Sequence, residues 1–186
     1  MLGLVSLLDD AHSIKVRILW DAWERLFGIR HLLEVTPVPH ISYFIAPEID
    51  VEKLERQLGK FVMDMKPFKV MATGIGIFTH PRLVLYTPVV RTQTLTEVHS
   101  RLMAHFMPAA SNPLALYMPD QWMPHITLAY EDVTPELLPE IFNWLQRHPI
   151  SWEIEIDNVA LLGNTDTRLA EPRRLKFGDK LPLPSP

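Results

Sequence analysis

Apolar and polar positions alternate along the chain in runs that mark short strands separated by one-sided helices. GLVSLL, residues 3–8, is a nearly continuous apolar run of the kind that forms a buried strand, and Asp9 or Asp10 stands ready to cap a following helix. That helix is expected from about Ser13 to Phe27. Ile14, Ile18, Leu19, Ala22, Trp23 and Leu26 fall at helical spacing, Lys15, Arg17, Asp21, Glu24 and Arg25 lie mostly opposite, and Gly28 supplies a stop. PHISYFIAP, from Pro39, reads as a strand. A second amphipathic helix is expected over Val51 to Met65, with Leu54, Leu58, Phe61, Val62 and Met65 on one face. Strands are expected around Phe68 to Met71, Gly74 to Phe78 and Arg82 to Val89, as an antiparallel meander turning at THP, residues 79–81. Thr94 to Phe106 reads as a third helix, Leu114 to Tyr117 as a short strand and HITLAY as another. Thr134-Pro135 opens a fourth helix to about Gln146, and strands near Trp152 to Gly163 and Arg174 to Phe177 close the order.

The sequence of elements runs through strand, helix, PHIS strand, helix and strands, then helix, strand, PHIT strand, helix and strands. This is an internal duplication in outline. It predicts an α+β fold of two similar lobes, a bilobal duplicated fold whose two antiparallel sheets face a central groove with helices on the outside. Residues 1–177 are expected to form this single domain, and the proline-rich tail GDKLPLPSP, residues 178–186, to be extended or disordered without a function of its own.

Composition narrows the function classes. With 186 residues, 47% of them hydrophobic, the chain can bury a substantial core. Its 18 basic and 22 acidic residues give a net charge of −4, which offers no global attraction to duplex DNA, so any nucleic-acid chemistry must be local. The absence of cysteine excludes disulfides and zinc–thiolate sites and fits a reducing compartment. The opening MLGLVSLLDD lacks the basic segment of a secretory signal, and the longest uncharged stretch, residues 102–119, is broken by Pro108, Pro113 and Pro119. A soluble, cytoplasmic protein is expected, without membrane association and as a monomer.

The chemistry concentrates in PHISYFI, from Pro39, and PHITLAY, from Pro124. A bare His-x-Ser/Thr pattern carries little information, with roughly 0.8 matches by chance in such a composition. Requiring the preceding proline and an aliphatic residue between lowers the chance number to roughly 0.02, and two are present. Strand alternation places His40 and Ser42 on one face against Ile41, Tyr43 and Ile45, and His125 and Thr127 against Ile126, Leu128 and Tyr130. Pro39 and Pro124 hold the preceding residues extended. Two lobes facing each other would bring two imidazoles and two hydroxyls together. Imidazole titrates near neutrality, so one ring can accept a proton while the other donates one, and the hydroxyls can donate to phosphate oxygens. In-line displacement at phosphorus is the reaction that uses such a set.

The twin pattern, about 85 positions apart in this order of strands and helices, resembles the two-histidine phosphoesterase superfamily, in its 2′-5′ RNA ligase and cyclic phosphodiesterase branch. The resemblance covers about residues 1–177. It implies a bilobal fold with a central groove and metal-independent action, without a cofactor, on 2′,3′-cyclic or 2′-5′ linked phosphodiesters of a nucleotide or RNA end. His40 and His125 become the catalytic pair and Ser42 and Thr127 the phosphate-binding pair. Following the family, His125 is the base that activates water and His40 the acid, although the near symmetry of the motifs allows the roles to be exchanged. Two alternatives share the fold: a non-catalytic nucleotide or RNA-end binding module, and a 2′-5′ RNA ligase. The chain departs from the family at Ser42, where threonine is common, and at Tyr130, where bacterial relatives often have arginine.

Other residues have plain structural readings beside functional ones. Trp122, Phe44 and Phe78 are candidates to stack a base, with Phe44 assigned to the face of His40 and Ser42, although each also suits a core. Arg168, Arg173, Arg174 and Lys176, and Arg82 after the THP turn, suit either a phosphate-attracting rim or a solvated strand edge. His99 and His105 lie six apart on one helix and form no metal pair, and no carboxylate accompanies either motif, so no metal site is expected.

Overall fold

The computed structural model of the protein describes residues 1–163 and 172–179. In chain order the elements are β1 (Leu2–Leu7), α1 (Asp10–Phe27), α2 (His31–Val35), β2 (His40–Ala46), β3 (Glu48–Ile49), α3 (Val51–Met63), β4 (Phe68–Thr73), β5 (Gly76–Phe78) and β6 (Val84–Pro88). They continue with α4 (Gln93–Phe106), β7 (Ala110–Ser111), β8 (His125–Tyr130), α5 (Leu138–Arg147), β9 (Ser151–Ile156), β10 (Asn158–Gly163) and β11 (Arg173–Lys176). The long helices begin where a side chain satisfies an otherwise free N–H. Asp9 accepts from His12 N–H at 2.8 Å, Asp50 from Lys53 N–H at 3.0 Å and Thr92 from Leu95 N–H at 3.2 Å. Gly28, at φ 72°, ends α1 in the left-handed region that favours glycine.

The fold is mixed helix and sheet, and its sheets are antiparallel. One sheet has the order β11-β10-β1-β2. A second has the order β5-β6-β8, and β4 pairs with β9. A bridge from Ala72 to Val89 brings β4 alongside the end of β6, in line with β5. The expected meander is therefore different in kind. β4 and β5 do not fold back on each other but follow in succession along β6, bent at Gly74 with φ 73°. This gives two comparable four-deep arrangements, each ending in a motif strand: β2 at one edge and β8 at the other, and these two strands lie in contact.

The helices cross between the halves. α3 and α4 meet through Phe61 and Phe106, 5.7 Å between ring centres, and pack on β10, β11 and β2. α1 sends Trp23 against Trp144 of α5 at 6.1 Å and His12 against Trp152 of β9 at 6.1 Å. Each sheet joins strands from both halves of the chain and is covered by one helix from each half. A single apolar core running through Leu4, Val16, Trp23, Leu58, Leu85, Leu102 and Ile154 binds the halves together.

Two sequence expectations change locally. Residues expected as a strand before the second motif form a 3₁₀ turn, Ala115–Tyr117, because Tyr117 and Met118 N–H close back on Leu114 and Ala115 carbonyls. The stretch between Gly28 and Pro39, for which the sequence pattern predicts no element, contains α2, and at its start the Arg30 and His31 N–H groups both donate to Asp132 at 2.6 Å. No helix among the described residues is long and apolar enough to cross a membrane. Arg168 and the tail from residue 180 lie outside the described residues.

Candidate active site

The two motif strands share a register, including its irregularity. In β2, His40 faces Leu7 and Ser42 faces Val5, but Phe44 faces Leu4, so Tyr43 is an extra residue. In β8, His125 faces Pro88 and Thr127 faces Tyr86, but Ala129 faces Leu85, so Leu128 is extra. At the strand starts, Leu8 N–H donates to Pro39 O at 3.2 Å and Val89 N–H to Pro124 O at 2.9 Å. An inserted residue bends the strand and resets its alternation. The burial sequence is accordingly the same in both: the histidine and hydroxyl positions are half-buried, the two residues after the hydroxyl are both buried, and the next is half-buried.

This bulge corrects two assignments. Phe44, expected beside His40 and Ser42, is 1% exposed in the core and has no face for a base. Ile45 and Tyr130, expected on the core side, lie half-buried on the side of the histidines, with Tyr130 edge-on to His31 at 5.7 Å. Trp122 is also core, 2% exposed, and is fully engaged: its indole N–H donates to Ser42 O at 2.9 Å, and the ring stacks on His99 at 3.9 Å with a 4° interplanar angle. Neither Trp122 nor Phe44 is placed to stack a substrate base.

Each motif histidine is oriented by its own strand. His40 Nδ1 lies 2.6 Å from Val38 O and His125 Nδ1 lies 2.7 Å from Met123 O, in both cases the carbonyl two residues earlier. A carbonyl accepts only, so Nδ1 carries the proton and Nε2 is left as the group that gains or loses one. Burial pushes both imidazoles below the usual histidine range, against the raising effect of those carbonyls, and repulsion from His125 lowers His40 further. The pair therefore resists holding two protons, and a state with one neutral ring and one imidazolium spans a wider pH range.

The surroundings of the two halves differ. On the β2 side the open strand edge is covered. Ser42 O accepts from Trp122, Tyr43 O from His99 Nε2 at 3.1 Å, and Ile45 O from Leu114 N–H at 2.9 Å. His99 Nε2 also reaches Tyr117 O at 3.0 Å. On the β8 side the neighbours are aromatic. Phe78 meets the His125 ring edge-on at 5.3 Å, and Tyr86 lies 5.1 Å from it. Phe78 and Tyr86 stack at 4.2 Å, with the Tyr86 ring lying over Gly76 where any side chain would overlap it. Phe78, half-buried, is the one aromatic of the three base-stacking candidates that adjoins a motif histidine.

The three arginines considered as a rim that lie among the described residues are paired. Arg82 meets Glu131, Arg173 meets Glu55 on the helix side, and Arg174 meets Asp157 at 2.8 Å. Arg174 faces Ala160, which faces Val5 and so shares a cross-strand row with Ser42. Two shallow hollows, one lined by Glu48, Lys53 and Pro108 and the other by Ile18, Trp144 and Trp152, contain neither motif. Sequence reasoning missed the cover over the β2 edge, since assigning Leu114 to Tyr117 to a strand gave no reason to place Leu114 N–H on Ile45 O.

The sequence profile of the 2′-5′ RNA ligase superfamily matches residues 13–168. Similar solved structures include one described as a phosphoesterase (15% identity, TM-score 0.57, covering 94% of this chain and 93% of that one). Another is TT0787 of Thermus thermophilus (16%, TM-score 0.57, 95% and 94%). A third is E. coli LigT in complex with NADP+ (17%, TM-score 0.54, 94% and 92%). At these identities the likeness is one of fold. No curated protein sequence matches.

Proposed function

We propose that this chain, which belongs to the 2′-5′ RNA ligase superfamily, is a metal-independent phosphodiesterase that opens 2′,3′-cyclic phosphates or acts on 2′-5′ linkages at nucleotide or RNA ends. The superfamily and its fold make phosphoesterase chemistry the coarse expectation. The finer reading rests on one observation: both motif histidines have Nδ1 tied to a carbonyl of their own strand, which leaves two Nε2 atoms for proton transfer on neighbouring strands. In hydrolysis, water attacks phosphorus and gives a proton to the neutral ring. The P–O bond to the ribose oxygen breaks, and the imidazolium supplies that oxygen's proton. Ser42 and Thr127 donate to the non-bridging oxygens, where charge builds up. The family resemblance makes His125 the base and His40 the acid, while the near symmetry of the two motifs allows the roles to be exchanged, and the single mutants' pH profiles assign the order.

The test is turnover of 2′,3′-cyclic nucleotides in the presence of a chelator. His40→Ala and His125→Ala should each lose on the order of 10²- to 10⁴-fold in rate. No turnover by the unmodified protein, or unchanged rates in both variants, defeats the reading.

A further inference from the structure

Each motif strand is the outermost strand of its own sheet, and the two edges lie in contact without a ladder between them among the described residues. Backbone pairing therefore places each histidine within its sheet but does not set the distance from one imidazole to the other. The segment leading into β8 spans the two edges. Trp122 donates its indole N–H to Ser42 O at 2.9 Å, on the strand of His40, and the carbonyl of the next residue, Met123, accepts from His125 Nδ1 at 2.7 Å. One residue thus holds the β2 backbone with its side chain and is joined covalently to the group that aims His125. The first motif has no such member: Pro37 stands in the place of Trp122 and carries no donor. Trp122 is itself held at both backbone groups and on its ring. Its N–H donates to Met118 O at 2.8 Å, and its carbonyl accepts from Arg91 at 3.3 Å, while the other arm of that guanidinium donates to Pro119 O at 2.8 Å. The indole stacks on His99 at 3.9 Å, and His99 Nε2 donates to Tyr43 O of β2.

We propose that Trp122 is a positioning residue, a strut between the motif strands that sets the separation of the two imidazoles, with Arg91 as the brace on its backbone. The inference rests on the phosphoester reading above, in which both rings serve one phosphorus atom. A donor seated on a strand carbonyl fixes the spacing of the edges within the narrow range of a hydrogen bond. Such control matters because a misplacement of about 1 Å at a reacting centre costs on the order of 10²-fold in rate. Arg91 directs its fork to two carbonyls of the segment, so it holds the strut's foot while the indole holds β2.

The experiment compares the unmodified protein with Trp122→Phe, Arg91→Met and Arg91→Lys, each checked for folding by thermal melting, and with Arg91→Met in the His40→Ala background. Trp122→Phe keeps a ring against His99 but has no donor for Ser42 O, and Arg91 is exposed, so its replacement leaves the core intact. On a 2′,3′-cyclic nucleotide, Trp122→Phe should lower kcat about 10- to 100-fold and Arg91→Met about 3- to 10-fold, with KM little changed. Arg91→Lys should recover part of the loss. In the His40→Ala background Arg91→Met should cost less than about 2-fold, because a single ring has no partner to be spaced from. Equal losses in both backgrounds, or none in either, overturn the proposal. Histidine NMR titration tests the strut apart from hydrolysis. Burial and then repulsion from His125 lower His40, so rings that move apart should raise the His40 midpoint in Trp122→Phe and Arg91→Met. If the unmodified protein shows no turnover, a raised midpoint upholds the strut and removes the hydrolase reading alone, whereas an unmoved midpoint removes both.

Discussion

The β2 and β8 halves share a strand, a bulge, a histidine tied to its i−2 carbonyl and a hydroxyl two residues on, yet they are surrounded by opposite kinds of chemistry. The β2 half is enclosed in polar contacts from Trp122, His99 and Leu114. The β8 half lies against Phe78 and Tyr86. Beneath the strands the pattern reverses. Ser6 of β1 is hydrogen-bonded to Tyr43 at 2.9 Å, whereas Thr87, its counterpart in β6, is buried without a side-chain partner. The scaffold fixes where the histidines stand, and the surroundings differ: one half is tied down by polar contacts to its strand backbone, and the other sets flat aromatic surface beside its histidine.

The largest effect should fall on what the halves share. His40→Ala and His125→Ala should lose rate by similar factors, and the double variant should be little worse than the poorer single, because both rings serve one displacement. A double variant whose loss is the product of the two would mean that the halves act independently. Next come changes that reach only one half. Trp122→Ala should cost about 3–5 kcal/mol in denaturant unfolding, because it empties a buried site and strands the Ser42 carbonyl. Phe78→Ala, on a half-buried ring, should cost much less stability while weakening nucleotide affinity. Gly76→Ala should destabilise by about 1–3 kcal/mol, because a Cβ there overlaps the Tyr86 ring and pushes it toward Phe78 and His125.

The smallest effect is the sharpest test of asymmetry. Both folded-state values are depressed, so each neutral ring persists to lower pH than a free histidine, and the acid limb of activity should lie below about 6.5. Removing His125 removes a cause of the lowering at His40, so NMR titration of His125→Ala should show the His40 midpoint rise. His40→Ala should leave His125 closer to where it was, since burial accounts for its shift. Equal movement in both variants would mean a symmetric pair.

Much of this was visible in the sequence. Proline, histidine and hydroxyl recur with their spacing, and the helices announce themselves by apolar stripes and caps, because these signals are local. The bulge was not visible from alternation, which assumes one residue per position on each strand. Its trace is the pair of successive apolar residues, Tyr43-Phe44 and Leu128-Ala129, at the same place in each motif. Missing it put Phe44 on the wrong face and Tyr130 inside. Trp122 and Tyr117 belong to an irregular segment that folds over the edge of β2, and long-range contacts decide its path, so no periodicity describes it. The course of β4 and β5 along one neighbour instead of against each other likewise depends on β6 and β9, which lie far away in the chain.

The bond from each histidine to the carbonyl two residues before it has a consequence for descent. The instruction that aims the ring is contained in a tripeptide, Val38-Pro39-His40 in one case and Met123-Pro124-His125 in the other, and it travels with any copy of that stretch. A half-length ancestor pairing with its own twin would already have possessed both oriented imidazoles. In such a duplicated chain each neighbourhood is free to differ, with N–H donors around β2 and aromatic rings around β8, without either imidazole being re-aimed.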